Sequence, residues 1–323
     1  MSKSDDFQDE YTLPGKPGLA VTIQALRDYD QKPNRATIID GLSDLDDADI
    51  AAIKPIWAQL KPGTRRKIMR ALAETCETDF MLDYRTMGSL GLDDSDPGVR
   101  QAAINALWMD DSVGLMNRLM VMARNDPALD VRAAAILELG RFIALGDLGD
   151  LPEETTRPAQ ELAIKIWQDS AEPIDTRRRA LEAISRCSHP MVNAAITEAY
   201  AGDEHLLRVS AVFAMGSTCD ERWADTIMVE IENDDPEMRY EAARAAGALE
   251  LVEAVPVLGR LAEEDNRETL MVVIWSLGEI GGKEALRFLA ELAQQAEEND
   301  DETLADAVDE AIANATLMND LGW

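Results

Sequence analysis

One short pattern returns along these 323 residues and limits what the chain can fold into: an acidic turn, an Arg, small residues three and six places on, and an apolar residue at seven. It reads DPGVRQAAINALW around Arg100 and DPALDVRAAAILELG around Arg132, and further copies are anchored at Arg177, Arg208 and Arg239. A sixth copy, NRETLMVVIWSLG, keeps Leu277 and Gly278 but has Leu270 in the place of the Arg. Successive anchors stand 32, 45, 31, 31 and 31 residues apart, and a weaker copy, TRRKIMRALA, puts Arg65 another 35 residues upstream. A unit this short cannot bury a core alone, so the chain must stack its units into an array.

Each period has room for two helices of about 12 residues with their turns. Between the anchors lie runs such as AAIKPIWAQL, SVGLMNRLMVMA, WADTIMVEIE and AVPVLGRLAEE, whose apolar residues recur at helical spacing, while strand-like alternation is absent. The turns Asp96-Pro97, Asp126-Pro127 and Asp235-Pro236 read as helix starts, because Pro is tolerated in the first helical turn and Asp suits the positive helix end. The reading is an all-α array over residues 18–316. Residues 1–17 are expected to be a disordered acidic tail, 317–323 a short C-terminal tail, and the segment around 145–158 an insertion that protrudes. The last helix, ETLADAVDEAIANA, turns Leu304, Val308, Ala311 and Ile312 inward and Asp306, Asp309 and Glu310 outward, as a capping helix does.

Composition narrows the function. Acidic residues number 62 and basic residues 31, for a net charge of −31. That deficit opposes contact with nucleic-acid phosphates and with anionic lipid. No stretch approaches the roughly 18 apolar residues of a membrane helix. The first twenty residues carry Asp5, Asp6, Asp9 and Glu10, and no signal peptide is expected. Cys76, Cys187 and Cys219 are too scattered for a disulfide framework and read as buried thiols, so a cytoplasmic setting is expected.

The unit DxxVRxxAxxALG resembles the HEAT repeat, in the short bacterial form also found in phycobilisome lyase subunits, over roughly residues 45–316. The resemblance implies a right-handed α-solenoid of about seven to eight helix pairs, with second helices lining the concave face. It also implies a ladder between turn Asp and helix Arg: Asp96, Asp126, Asp203, Asp234 and Asp265 with Arg100, Arg132, Arg208 and Arg239. Glu172 stands in the place of Asp before Arg177. Physical chemistry reaches the same residues, since an Arg near a helix start, flanked by an Asp, makes a charge-assisted bond between stacked turns.

The catalytic inventory is thin. Among HEAT-repeat enzymes, deoxyhypusine hydroxylase holds two irons through repeated His-Glu pairs, whereas this chain has only His189 and His205. His and Cys do not cluster at metal-ligand spacing. GEIGG at 278–282 follows no strand and reads as a helix-end turn. Carboxylate pairs such as Asp234/Asp235 and Asp300/Asp301 read as solvated surface. From the sequence, then, no catalytic, cofactor-binding or metal-binding residue is nominated, and the expected role is a non-catalytic scaffold or adaptor. The alternative is an accessory enzyme related to the bilin lyase-type HEAT proteins.

With the anchor Arg as zero, the apolar positions are −1, +3, +4 and +7, and helical geometry sets +5 opposite them. Position +5 reads Asn105, Leu137, Glu182, Phe213, Arg244 and Trp275, and position +1 reads Gln101, Ala133, Arg178, Val209, Tyr240 and Met271. The last three units therefore offer Val209, Phe213, Tyr240, Arg244, Met271 and Trp275 as a partner-binding stripe, a composition typical of protein interfaces. The other reading of the same residues is packing between units. Trp57, Trp108 and Trp167 read as core. The expected partner is a protein, and the acidity favours one with a basic segment.

Overall fold

The computed structural model describes residues 15–263 and 266–320, and among these all regular structure is helical. The helices are α1 Leu19–Asp28, α2 Arg35–Gly41, α3 Asp47–Trp57, α4 Pro62–Cys76, α5 Arg85–Gly91, α6 Pro97–Ala106, α7 Val113–Asn125 and α8 Leu129–Leu148. There follow α9 Glu153–Gln168, α10 Ile174–Ile184, α11 Val192–Ala201, α12 His205–Ser217, α13 Ala224–Glu230, α14 Pro236–Ala248, α15 Val255–Leu261, α16 Arg267–Ile280, α17 Gly282–Asn299 and α18 Glu302–Asp320. Read in pairs they make nine repeats; the extra one over the sequence expectation is α1–α2, where Arg35 opens α2 with Gly41 at +6 and Leu42 at +7 but Ile38 takes the place of the small residue at +3. The chain divides into two compact units, one up to Glu138 and one from Leu139.

Local signals explain the helix starts. Asp96 and Asp235 cap α6 and α14 by accepting backbone N–H bonds, with Pro97 and Pro236 in the first turn, and Asp46, Ser112 and Asn266 cap α3, α7 and α16 in the same way. At Asp126-Pro127 the helix begins two residues later, at Leu129. There the Asp126 carboxylate instead accepts the Ala128 amide and the Arg100 guanidinium.

In the first unit, α1, α3 and α5 lie in one row and α2, α4 and α6 in another. In the second, α10, α12, α14, α16 and α18 form a row of second helices in chain order. Positions −1, +3, +4 and +7 of every anchored helix are buried, from Val99, Ala103, Ile104 and Leu107 to Thr269, Val273, Ile274 and Leu277.

The row is tight because position +8 of α12, α14 and α16 is Gly. A Cβ on Gly216 would stand 2.7 Å from the Cα of Ala245, and one on Gly247 2.7 Å from the Cα of Ser276. Backbones therefore touch from one second helix to the next, and the Ser276 hydroxyl donates across the seam to the Ala243 carbonyl at 2.9 Å.

Several expectations need correction. Residues 145–158 do not protrude as a loop: Leu145–Leu148 complete α8, Glu153–Pro158 open α9, and a four-residue turn joins them. That turn closes through the Leu151 amide donating to the Leu145 carbonyl, with Gly149 at φ +85°. Cys76 and Cys187 are buried, but Cys219 is exposed beyond the end of α12 at φ +49°. Ile312 is only half-buried, whereas Leu304, Val308 and Ala311 are buried. Residues 1–14, Asp265 and Trp323 lie outside the described residues.

In the first unit Arg and Asp pair between turns in a register other than the expected one. Arg65 of α4 forks onto Asp94 at 2.7 and 2.9 Å, and Arg100 of α6 forks onto Asp126 at 2.8 and 2.6 Å. Both acceptors sit six residues before the Arg of their own unit. Asp96, expected in the ladder, is held by Arg66 at 3.1 and 2.6 Å. In the second unit position −6 of α14 is Asn233, which accepts the Asp235 amide but carries no charge, and Asp203 and Asp234 are exposed. Arg208 accordingly lies over the Tyr200 ring and Arg177 over the Trp167 ring. Arg132 donates to the Ala123 carbonyl, and Arg239 to the carbonyls of Asn233 and Asp234.

Candidate functional site

Four second helices of the second unit, α10, α12, α14 and α16, bring polar and aromatic groups to one face. Position +5 of α10 is Glu182, expected to face outward but only 2% exposed. Its carboxylate accepts from Arg179 at 2.5 Å and from the buried Ser210 hydroxyl of α12, with Arg178 at 3.8 Å. A carboxylate is tolerated at this depth because guanidinium and hydroxyl donors replace its water. Glu182→Leu is expected to cost about 2 kcal/mol in a urea melt, since it strips Ser210 and Arg179 of their buried acceptor.

On α14 the neighbouring carboxylate is Glu241, ion-paired with Arg244 at 2.9 Å. Burial pushes its carboxyl up; Arg244 opposes the shift and the nearby Glu182 adds to it. Arg244 also donates to the Phe213 carbonyl at 3.0 Å and stacks 3.9 Å over the Phe213 ring. Phe213 and Arg244 thus form one layer across α12 and α14. Both carboxylates line a recess of about 380 Å³ with Arg178, Arg179 and Tyr240.

Beside it opens a groove of about 610 Å³ floored by Met271, Val272 and Trp275 of α16 and walled by Tyr240 and Arg244. Trp275 is 41% exposed. Burial pushes the Tyr240 phenol up, with Glu241 and Glu268 acting the same way. Of the six residues of the expected stripe, four line this groove: Tyr240, Arg244, Met271 and Trp275. Phe213 backs Arg244, and Val209 is only 7% exposed and lines the recess, not the groove. Sequence reasoning missed Glu182, Ser210 and Glu241 as a cluster. The signal was a carboxylate at +5 of α10, facing a Ser two residues past the anchor of α12.

Residues 193–271 and 224–310 match the family of HEAT repeats. This chain contains HEAT repeats. One curated relative, deoxyhypusine hydroxylase of Schizosaccharomyces pombe, is 32% identical over 116 residues, which is 33% of this chain and 36% of the relative. This HEAT-repeat chain therefore matches little more than a third of that enzyme's length. Among solved structures, the complex of CpcE and CpcF of phycocyanin lyase from Nostoc sp. PCC7120 is similar at TM-score 0.53 and 16% identity, over 95% of this chain and 100% of that one. That likeness fixes the all-α helix-pair fold.

These matches correct the expectation of a non-catalytic chain: the aligned curated relative is an enzyme, and an empty motif inventory does not outweigh it. A two-iron centre built from His-Glu pairs does not fit the donors present. His189 Nδ1 lies 3.3 Å from the Met191 amide nitrogen, and His205 Nε2 stands 3.3 Å from Glu237 and 3.4 Å from Asp235. Among the described residues no group of three or more His, Cys, Asp or Glu is placed to hold a metal ion. Among the same residues no helix is long and apolar enough to cross a membrane.

Proposed function

We propose that this HEAT-repeat chain is an accessory enzyme component that grips another protein along α10, α12, α14 and α16 and brings it against the Glu182–Glu241 recess. The observation that carries the reading is the juxtaposition: an open groove with an exposed Trp275 adjoins a recess lined by the carboxylates of Glu182, Glu237, Glu241 and Glu268 and the guanidinium groups of Arg178 and Arg179. The groove supplies recognition, since Tyr, Trp, Met and Arg dominate binding hot spots. Within the recess Glu241 is the group suited to proton transfer, because burial brings its carboxyl closer to the working pH. The enzymatic relative supports the catalytic half of the proposal and the lyase fold supports its setting, a complex of two chains. A cytoplasmic location belongs to the proposal, supported by three free thiols.

The test uses the full chain as bait. Trp275→Asp is expected to keep the helical circular dichroism and melting temperature while reducing the captured protein at least tenfold, because a desolvated aromatic anchor contributes about 2 kcal/mol or more. The captured protein is then incubated with wild type and with Glu241→Gln, and its intact mass is compared. A mass change made by wild type and lost in Glu241→Gln supports catalysis at the recess. Capture without any mass change, together with equal behaviour of the two chains, rejects it.

A further inference from the structure

Around the groove, every cation is already matched by a carboxylate of this chain. Arg178 pairs with Asp175 and Glu182, Arg179 with Glu182, Arg244 with Glu241, and Arg267 with Asp301. Two carboxylates, Glu268 on the groove and Glu237 on the adjoining recess, are not matched in this way. Glu268 makes no ion pair among the described residues, and the ionic neighbour of the exposed Glu237 is the imidazole of His205. Among the described residues the Tyr240 hydroxyl makes no hydrogen bond, although its ring lines both the groove and the recess. Beyond it lies the exposed face of Trp275. An apolar floor, an aromatic face and an unbalanced acidic rim form a seat for a cation carried on an apolar stem.

We propose that the occupant of this groove is a basic amphipathic segment of the partner protein, seating a Lys or Arg between Tyr240, Trp275 and Glu268 while its apolar side chains cover Met271. The inference rests on the reading of this face as a gripping surface and names what it grips. Charge complementarity argues for it twice: locally, through Glu237 and Glu268, and globally, through a net charge of −31 that steers basic segments toward the chain. An acidic segment would meet the bare rim carboxylates, and the paired arginines would have to leave their own partners to receive it.

The probe is a fluorescein-labelled 18-residue Leu/Lys amphipathic helical peptide, with a counterpart in which Glu replaces Lys, titrated with the full chain by anisotropy. The Lys peptide is expected to bind and the Glu peptide not to. Glu237→Gln/Glu268→Gln is expected to weaken binding about fivefold and to flatten its salt dependence, and Trp275→Ala to weaken it about tenfold. A control that removes two charges elsewhere in the unit, Glu302→Gln/Asp306→Asn on α18, is expected to change affinity less than twofold. Equal loss in the control and the rim variant would mean general attraction to an acidic protein and would overturn the inference. So would a rim variant that binds as wild type does. In that event, continued loss of the captured protein with Trp275→Asp leaves the gripping surface standing without its basic ligand.

Discussion

Asp94→Asn is expected to destabilise the first unit by about 3 kcal/mol or more, the cost of leaving a buried guanidinium without its counter-charge. The side chains of Arg65 and Asp94 are 7% and 4% exposed, and the Asp94 carboxylate also accepts the Trp57 indole N–H at 2.9 Å and the Asp96 amide at 2.9 Å. One carboxylate therefore joins α3, α4 and the turn before α6. Urea unfolding followed by circular dichroism measures the loss. Arg65→Met/Asp94→Leu is expected to recover a large part of it, because the pair is then replaced by apolar groups and no charge is stranded. The acid limb of stability reports the same group. Burial pushes the Asp94 carboxyl up, but the bonds from Arg65, the Asp96 amide and Trp57 outweigh it and hold it below the ordinary carboxylate value. Its contribution is thus fully present above about pH 4 and is lost as pH falls through the lower folded value, so Asp94→Asn should flatten the stability curve in that range.

Gly247→Ala is expected to cost about 2–3 kcal/mol, although the same change in an open helix stabilises. The added methyl would lie 2.7 Å from the Ser276 Cα and 2.8 Å from its Cβ and Oγ, so α14 and α16 must separate and the Ser276–Ala243 bond must lengthen. Gly63 supplies the internal contrast: it lies in the first turn of α4, where an added methyl would have no atom within 4 Å, and Gly63→Ala should gain up to about 0.5–1 kcal/mol. Thermal melts of the two variants should therefore move in opposite directions. If Gly247→Ala melted above wild type, the close seam between second helices would be wrong.

The period, the helix pairing and the core positions were legible because each depends on the order of residues within one helix. A 3.6-residue repeat decides which side is apolar, and Asp-Pro or a capping Asn decides where a helix begins. The anchor Arg residues could be found in the same way, since they recur. What they bind could not, because Asp94 and Asp96 are both acids in one turn and only the path of the backbone sets which faces Arg65 and which faces Arg66. Position −6 carries the signal in hindsight: Asp94 and Asp126 occupy it where the ladder runs, and Asn233 where Arg208 turns to an aromatic ring instead.

The candidate site divides along the same line. Sequence alone determined that Tyr240, Arg244, Met271 and Trp275 share a face, because they fall at +1 and +5 of adjacent repeats. Only the tertiary structure decided that Val209 is covered, that Glu182 is buried and not solvated, and that Glu182 and Glu241 line one recess beside the groove. A helix fixes the direction of its own side chains, whereas burial is fixed by what the neighbouring helix brings within reach.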